Sequence, residues 1–272
     1  MVIPILIVLA LTYVVSWGGW LDNVFSFAGL SSETLLFRSI YGDDALFGSI
    51  AQISVSFVFM FILFGAFLVR SGAGDFVIAM ARAVAGRVVG GPGLVAVVSS
   101  GLTGTISGSA IANTVSTGVI TIPLMKRAGF PARFAAGVEA AASTGGQLMP
   151  PIMGAGAFVM ASYTQIPYTH IVVVSVLPAL LYFLSVAFFV RIEAKRLGFS
   201  VESSEESTNL MTVMREGGIV FILPITVLIL MLVSGFTPTY AAGVAILTVI
   251  AASWLTPRRM GPREIIDALA LG

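Results

Sequence analysis

Long apolar stretches alternate with short polar connections along the chain of 272 residues. A helix that crosses the hydrocarbon core of a bilayer needs about 20 mostly apolar residues. Stretches near that length predict membrane segments at 2–17, 48–69, 134–160, 169–190, 218–235 and 239–256, with a further apolar stretch at 93–125. The pattern therefore predicts an all-α integral membrane protein, built as a polytopic helical bundle.

The stretch 93–125 has a polar centre in which Ser107, Gly108 and Ser109 follow one another. It is too short for two full crossings of about 20 residues each, and too interrupted for one. We therefore predict a re-entrant helical hairpin that dips into the bilayer and returns to the side it came from. Non-helical backbone inside a bilayer is tolerated only where protein or water covers it, so the hairpin indicates a transport or ion site.

The segment 134–160 contains Gly145-Gly146 followed by Pro150-Pro151. A glycine in a helix costs about 1 kcal/mol relative to alanine, and a proline removes a backbone donor and clashes with the preceding turn. We therefore predict a broken transmembrane helix that unwinds near 144–151. With Arg133 at the cytoplasmic surface, a rise of 1.5 Å per residue places Thr144 roughly 16 Å deep, at the level of the hairpin tip.

Composition agrees with a membrane protein, because hydrophobic residues make up 57% of the chain and charged residues only 10%. Soluble domains carry about 25% charged residues. The net charge of +1 indicates no nucleic-acid partner. The chain has no cysteine and one histidine, which excludes disulfides, thiol catalysis and a histidine-rich metal site.

The positive charges set the predicted topology. Of the 14 lysines and arginines, all except Arg38 fall in alternate connections, which the positive-inside rule makes cytoplasmic. This pattern requires that 93–125 begin and end in the cytoplasm, and it places the N-terminus there too. The predicted regions are an N-terminal membrane helix with a periplasmic interfacial segment (1–47), a transport-type repeat with the hairpin and the broken helix (48–190), a cytoplasmic linker (191–217) and C-terminal helices (218–272).

The two interrupted segments are expected to meet at mid-membrane and to form an oxygen-rich pocket without a charged ligand. Ser109, Asn113 and Thr117 are spaced i, i+4, i+8 and therefore lie on one helical face. Neutral carbonyl and hydroxyl oxygens suit a monovalent cation such as sodium, whereas a divalent ion usually takes carboxylates. The N-termini of half-helices at the same point attract an anionic substrate.

Three strings resemble a known family: Ile-Ser-Gly-Ser-Ala-Ile-Ala-Asn at 106–113, Ile-Pro-Leu-Met-Lys-Arg-Ala-Gly-Phe at 122–130 and Glu-Ala-Ala-Ala-Ser-Thr-Gly-Gly-Gln-Leu-Met-Pro-Pro-Ile-Met-Gly at 139–154. They are similar to the large membrane subunit, of DctM type, of tripartite ATP-independent periplasmic (TRAP) transporters. Asn113 and the Gly-Gly-Gln run resemble the branch served by TAXI-type binding proteins. The dicarboxylate branch more often has an acidic residue at Asn113, which puts a C4-dicarboxylate substrate in doubt.

The resemblance implies sodium-coupled, elevator-type uptake of an organic acid across the bacterial inner membrane. It implies a periplasmic solute-binding protein and a small permease subunit, or a fused small-subunit domain, as partners, and no cofactor besides the coupling ion. Residues implied in ion binding are Ser107, Gly108, Ser109, Asn113, Thr144, Gly145 and Gly146. Residues expected in the substrate pocket are Thr117, Ser143, Gln147, Pro150 and Pro151.

A complete large subunit would carry a second, oppositely oriented hairpin repeat, which 191–272 does not supply, so the sequence is expected to be part of a longer permease. Glu139 has two interpretations: a functional carboxylate inside the membrane, or a side chain that snorkels to the surface or pairs with Arg133. Three other functions are weighed: an ion channel, a non-transporting membrane scaffold and, remotely, an intramembrane serine protease that uses Ser107 or Ser109 with His170.

Overall fold

Helices account for all the regular secondary structure of the computed structural model in the residues that it describes, 2–17, 29–43, 45–86, 88–199, 210–256 and 259–272. The chain divides into two compact units, Met1–Ser54 and Val55–Gly272. The observation agrees with the predicted all-α class. By length and composition alone, Ser49–Arg70 and Tyr168–Arg196 could cross a membrane, and Ile3–Val15, Gly217–Val233 and Pro238–Ser253 are shorter apolar helices.

The first unit holds the N-terminal helix and a short polar helix. Helix α1 (Val2–Thr12) continues as a π-helical turn through Trp17, as the apolar run 2–17 predicts. Helix α2 (Ser32–Tyr41) begins where the side chain of Ser31 accepts a hydrogen bond from the backbone N–H of Thr34. Helix α3 (Ser49–Ile53) closes the unit. Much of the predicted interfacial segment, including 18–28, lies outside the described residues.

In the second unit, α4 (Phe59–Arg70) and α5 (Ala73–Ala85) lead to the predicted hairpin. Its two arms are α6 (Gly91–Ser107) and α7 (Ala110–Arg127). The turn depends on Gly108, whose φ of 58° lies in the left-handed region that L-residues rarely adopt. Ser109 then caps α7 by accepting a hydrogen bond from the backbone N–H of Ala112. The helix–turn–helix geometry of the hairpin is thus confirmed, while its re-entry into the bilayer stays a prediction.

The helix predicted to break does so between its glycines and its prolines. Helix α8 (Ala132–Gly145) ends in a single 3₁₀ turn, Gly146–Leu148. Irregular backbone through Pro150 and Pro151 follows, and α9 (Ala155–Thr164) resumes the helical path. The unwinding predicted at 144–151 therefore starts at Gly146 and extends to Gly154.

Helix α10 (Tyr168–Arg196) supports the hairpin and α8 from one side. A buried apolar cluster joins these elements and consists of Ala96, Val97, Met125, Phe130, Ala135, Val138, Ala142, Val190 and Ala194. Gly145 permits the approach of α10, because a Cβ on it would lie 2.4 Å from Cε1 of Tyr182. The α6 arm of the hairpin and α8 are consequently held against a long apolar helix.

The remaining helices surround α4 and α5. Helix α11 (Leu210–Val233) packs on α5 and on α12 (Pro238–Ser253), while α12 and the terminal α13 (Pro262–Leu271) pack on α4. The polar connection predicted at 191–217 is shorter in the structure, because α10 continues through Arg196 and α11 begins at Leu210. The polar residues at 191–196 and 210–217 extend two helices whose apolar parts are already held by packing. Residues 200–209 lie outside the described residues.

Candidate functional site

The hairpin and the break in the α8–α9 path meet through glycines, and we call this the hairpin–break contact. A Cβ on Gly104 would lie 2.3 Å from the Cα of Gly146, and a Cβ on Gly108 would lie 2.1 Å from the carbonyl oxygen of Met153. Real side chains do not tolerate such distances to backbone atoms. The contact between the two interrupted segments, expected from the sequence, therefore exists and requires glycine on the hairpin side.

A cavity of about 220 Å³ lies beside the hairpin tip. One side offers polar groups from Ser107, Ser109 and Gln147, and the other is apolar. The apolar lining residues are Val58, Phe61, Ile62, Ile152, Met153, Ala155 and Phe158. No charged residue lines this cavity in the described part of the chain, so a ligand would meet hydroxyl, amide and backbone groups together with hydrocarbon.

The polar end of the cavity coincides with the start of α7. Oγ of Ser107 accepts from the backbone N–H of Ser109 at 3.4 Å, and Oγ of Ser109 caps the helix. The N-terminus of a helix carries a partial positive charge from its aligned peptide dipoles. This end of the cavity therefore combines hydroxyl groups with a potential that favours an anionic group.

Asn113 lies one turn further along α7 and is fully buried. Its Nδ2 donates to the backbone carbonyl of Ser100 at 2.8 Å, whereas its Oδ1 is buried without a hydrogen-bond partner. A Cβ on Gly146 would lie 3.0 Å from the same Nδ2, so the amide adjoins the hairpin–break contact. A buried, unpaired amide oxygen is costly unless a ligand completes its coordination.

Glu139 on α8 is fully buried and is surrounded by hydroxyl groups from three helices. Oε1 lies 3.0 Å from Oγ of Ser100 and 3.0 Å from Oγ of Ser143, and it also accepts from Thr117. Oε2 lies 2.5 Å from Oγ1 of Thr121. We call these five residues the carboxylate cluster. Of the two interpretations of Glu139, the structure contradicts surface snorkelling, and no ion pair with Arg133 is present among the described residues.

Glu139 was not predicted to lie at the centre of a site, although the sequence contains a signal for it. Glu139 and Ser143 are four residues apart on α8, and Thr117 and Thr121 are four residues apart on α7. Two polar pairs at this spacing on neighbouring helices predict facing polar stripes. Ser100, from the other hairpin arm, could not be found this way, because its partners depend on how the hairpin closes.

The structure separates the predicted residues into groups. Ser107, Gly108, Ser109 and Gln147 line the cavity, and Asn113 and Gly146 meet at the hairpin–break contact. Thr117 and Ser143, expected in the substrate pocket, belong instead to the carboxylate cluster. Thr144 is exposed and donates to the carbonyl oxygen of Ala140, and Gly145 faces α10, so neither joins the hairpin tip. Pro150 and Pro151 do not line the cavity and form the irregular backbone that precedes Ile152 and Met153, which do.

Tyr168 fixes that irregular backbone to α10. Its hydroxyl lies 2.8 Å from the carbonyl oxygen of Pro151 and 2.7 Å from that of Ile152, and its ring stacks on Phe158 with a centroid separation of 4.4 Å. The α10 helix therefore holds the segment that borders the cavity.

We expect Tyr168→Phe to lower stability by about 1–3 kcal/mol, because it keeps the stacked ring but leaves buried carbonyl oxygens without a donor. Thermal melting of the purified protein measures the effect. Tyr240→Phe is the matched control, since Tyr240 is more than half exposed and should change the melting temperature little. Equal melting shifts for the two variants would contradict a fixing role for the Tyr168 hydroxyl.

Comparison with known proteins gives one family and several relatives. The sequence model of the tripartite ATP-independent periplasmic transporter, DctM component, matches residues 2–271. The chain is 37% identical over 106 residues to the C4-dicarboxylate TRAP transporter large permease protein DctM of Rhodobacter capsulatus, covering 39% of the chain and 24% of that protein. It is 28% identical over 185 residues to a putative TRAP transporter large permease protein of Haemophilus influenzae, covering 68% of the chain and 43% of that protein. The chain thus spans less than half the length of these curated relatives.

Proposed function

The chain belongs to the DctM component family of tripartite ATP-independent periplasmic transporters, and from that membership we propose that it is part of the permease of a sodium-coupled secondary transporter that imports an organic acid. Proteins of this family are multi-pass inner-membrane transporter subunits rather than enzymes. The N-terminus is proposed to be cytoplasmic, because the basic residues concentrate in alternate connections.

The observation that carries the sodium assignment is the unpaired Oδ1 of Asn113, which is buried beside Gly146 at the hairpin–break contact. The polar side chains that line the adjoining cavity, those of Ser107, Ser109 and Gln147, are neutral, as is the amide of Asn113. Such ligands suit a monovalent cation, whereas divalent ions usually require direct carboxylate ligands. Ser109, on the same face of α7, contributes a hydroxyl on the cavity side.

The cavity is the proposed binding place for the organic acid. Its polar end at Ser107, Ser109 and the α7 N-terminus favours a carboxylate, and its apolar side at Phe61 and Phe158 accommodates the carbon skeleton. A periplasmic binding protein would deliver the solute, and a small permease subunit or fused domain would complete the assembly. The transport movement proposed is of elevator type, in which the hairpin and the broken helix carry ion and solute together.

Sodium binding is testable on the purified complete transporter that contains this chain. Ligands that bind only the folded state stabilise it, by about 2.7 kcal/mol at a hundredfold excess over Kd. We expect the melting temperature to rise with sodium chloride relative to choline chloride, and Asn113→Ala and Ser109→Ala each to reduce that rise by weakening cation coordination. Thr114→Ala is the control, since Thr114 lies next to Asn113 and its hydroxyl bonds the carbonyl of Ala110 in its own helix.

Uptake assays complement the binding assay. Proteoliposomes with an imposed sodium gradient should accumulate at least one member of a panel of labelled mono- and dicarboxylates, and the flux should saturate. An unchanged sodium response in both Asn113→Ala and Ser109→Ala would remove the site assignment. Flux that does not saturate and needs no sodium gradient would instead favour a channel.

A further inference from the structure

The carboxylate cluster contains a buried acid with no fixed positive partner. Glu139 is 0% exposed. Among the described residues the ion pairs are Arg70 with Asp267 and Arg196 with Glu193, and neither involves Glu139. Buried charges in proteins are normally paired with an opposite charge or a metal ion. The charge of Glu139 therefore lacks a compensating group in the part of the chain that the structure describes.

The surroundings of Glu139 are suited to a carboxylate anion. Four hydroxyl groups, from Ser100 on α6, Thr117 and Thr121 on α7 and Ser143 on α8, lie within hydrogen-bond distance of its two oxygens. Hydrogen bonds to an ionised acceptor are stronger than those between neutral groups. The hydroxyls disperse the negative charge but cannot neutralise it.

The cluster is joined directly to Asn113. Ser100 donates through Oγ to Glu139, and its backbone carbonyl accepts from Nδ2 of Asn113 at 2.8 Å. Thr117 also reaches both, since its Oγ1 contacts Glu139 and lies 2.8 Å from the backbone carbonyl of Asn113. The Nδ2 atom of Asn113 is therefore hydrogen-bonded to a residue of the carboxylate cluster, whereas its Oδ1 atom has no partner.

We propose that Glu139 is the fixed counter-charge of the cation bound at Asn113, acting on that cation through space rather than as a ligand. The inference rests on the sodium site proposed above. Direct ligation is disfavoured because three hydroxyls surround Oε1 and α7 packs closely against the carboxylate, since a Cβ on Gly118 would lie 3.2 Å from Cγ of Glu139. The effective dielectric constant inside a protein is lower than that of water, so a buried negative charge attracts a nearby cation more strongly than it would in water.

The same arrangement explains how a site with only neutral ligands can hold an ion. One carboxylate balances one monovalent cation, so loading leaves the interior neutral. A divalent ion would leave a net positive charge buried, which is costly. Glu139 thereby contributes both affinity and selection for a single positive charge.

The test is a sodium titration of the purified complete transporter, read as melting temperature, for the native protein and for Glu139→Gln. The glutamine keeps the size and one acceptor oxygen but removes the charge. We expect the sodium midpoint, defined as the concentration that half-fills the site and fitted from the logarithmic growth of stabilisation with sodium, to rise at least about tenfold, which corresponds to about 1.4 kcal/mol. Choline chloride at matched concentrations corrects for ionic strength.

Two variants separate charge from packing. Thr121→Val removes the hydroxyl at Oε2 and keeps the charge, so its sodium midpoint should shift less than about threefold. Glu139→Asp also keeps the charge. If Glu139→Gln does not fold, the sodium midpoint of Glu139→Asp is the measurement that tests the proposal. A midpoint near that of the native protein supports the proposal, and a midpoint raised tenfold or more despite the retained charge contradicts it.

The outcomes also distinguish this inference from the proposed function. If the native protein shows no sodium-dependent stabilisation, the proposed function fails. If the native protein responds to sodium and Glu139→Gln responds with the same midpoint, the proposed function stands and the counter-charge role of Glu139 is overturned.

Discussion

Replacing Gly104 by alanine should prevent the hairpin from packing against the break, with a loss of about 3 kcal/mol or more in stability and of the proposed response to sodium. The new Cβ would lie 2.3 Å from the Cα of Gly146 and 3.2 Å from its carbonyl carbon and oxygen. All three atoms belong to the backbone of Gly146, so no side chain can rotate away to relieve the clash. The helix α6 and the 3₁₀ turn must therefore separate. Overpacking in a closely packed interior costs about 1–3 kcal/mol and occasionally more.

Thermal melting and sodium titration of the complete transporter measure both effects. Gly137→Ala is the matched control, because Gly137 lies inside α8 and a Cβ there would meet nothing within 4 Å. Alanine is favoured over glycine in a helix by about 1 kcal/mol, so this variant should be neutral or slightly stabilised. If Gly104→Ala melts and binds sodium as Gly137→Ala does, the close backbone contact between hairpin and break is contradicted.

Glu139→Ala should be the most destabilising change in the carboxylate cluster, at about 3–5 kcal/mol. The substitution removes the shared acceptor of Ser100, Thr117, Thr121 and Ser143 and leaves an unfilled space among three helices. Each buried hydroxyl left without a partner costs about 1–3 kcal/mol, although Thr117 and Thr121 can each turn to a backbone carbonyl in α7. The cavity adds to the loss, as it does for other large-to-small changes in a protein interior.

Denaturant or thermal unfolding of the purified protein provides the measurement. Glu193→Ala is the control, because Glu193 makes an ion pair with Arg196 at 3.6 Å in which the arginine side chain is 79% exposed. Such surface pairs contribute about 0–1 kcal/mol. Similar losses for the two variants would show that the four hydroxyls do not depend on Glu139.

The hairpin and the break were predictable from the sequence because both depend on local backbone chemistry. Gly108 occupies a left-handed turn conformation that other residues rarely adopt. Gly145-Gly146 followed by Pro150-Pro151 ends a helix whatever surrounds it. Their contact followed from the topology that the positive charges indicate. These features are properties of short runs of residues, so the sequence carries them directly.

The composition of the polar centre was less predictable, because it depends on the rotation of each helix about its axis. Thr144 and Ser143 are neighbours in sequence, yet one is exposed and the other is buried against Glu139. Thr117 turns to the carboxylate rather than to the cavity. Ser100 enters the cluster from the opposite arm, which no periodicity within one helix reveals. Glu139 could be recognised as functional, but its partners required the packing of three helices.

The shared hydrogen bonds of Glu139 also indicate which helices can move relative to one another. Both hairpin arms and α8 are tied at one buried acid, so sliding any one of them past the others would break several of these bonds at once. By contrast, α4 borders the cavity through the apolar side chains of Phe61 and Ile62, and apolar contacts are not directional. A large displacement should therefore run along the seam between Phe61 or Ile62 and the serines of the hairpin tip, and the three tied helices should travel as one rigid body.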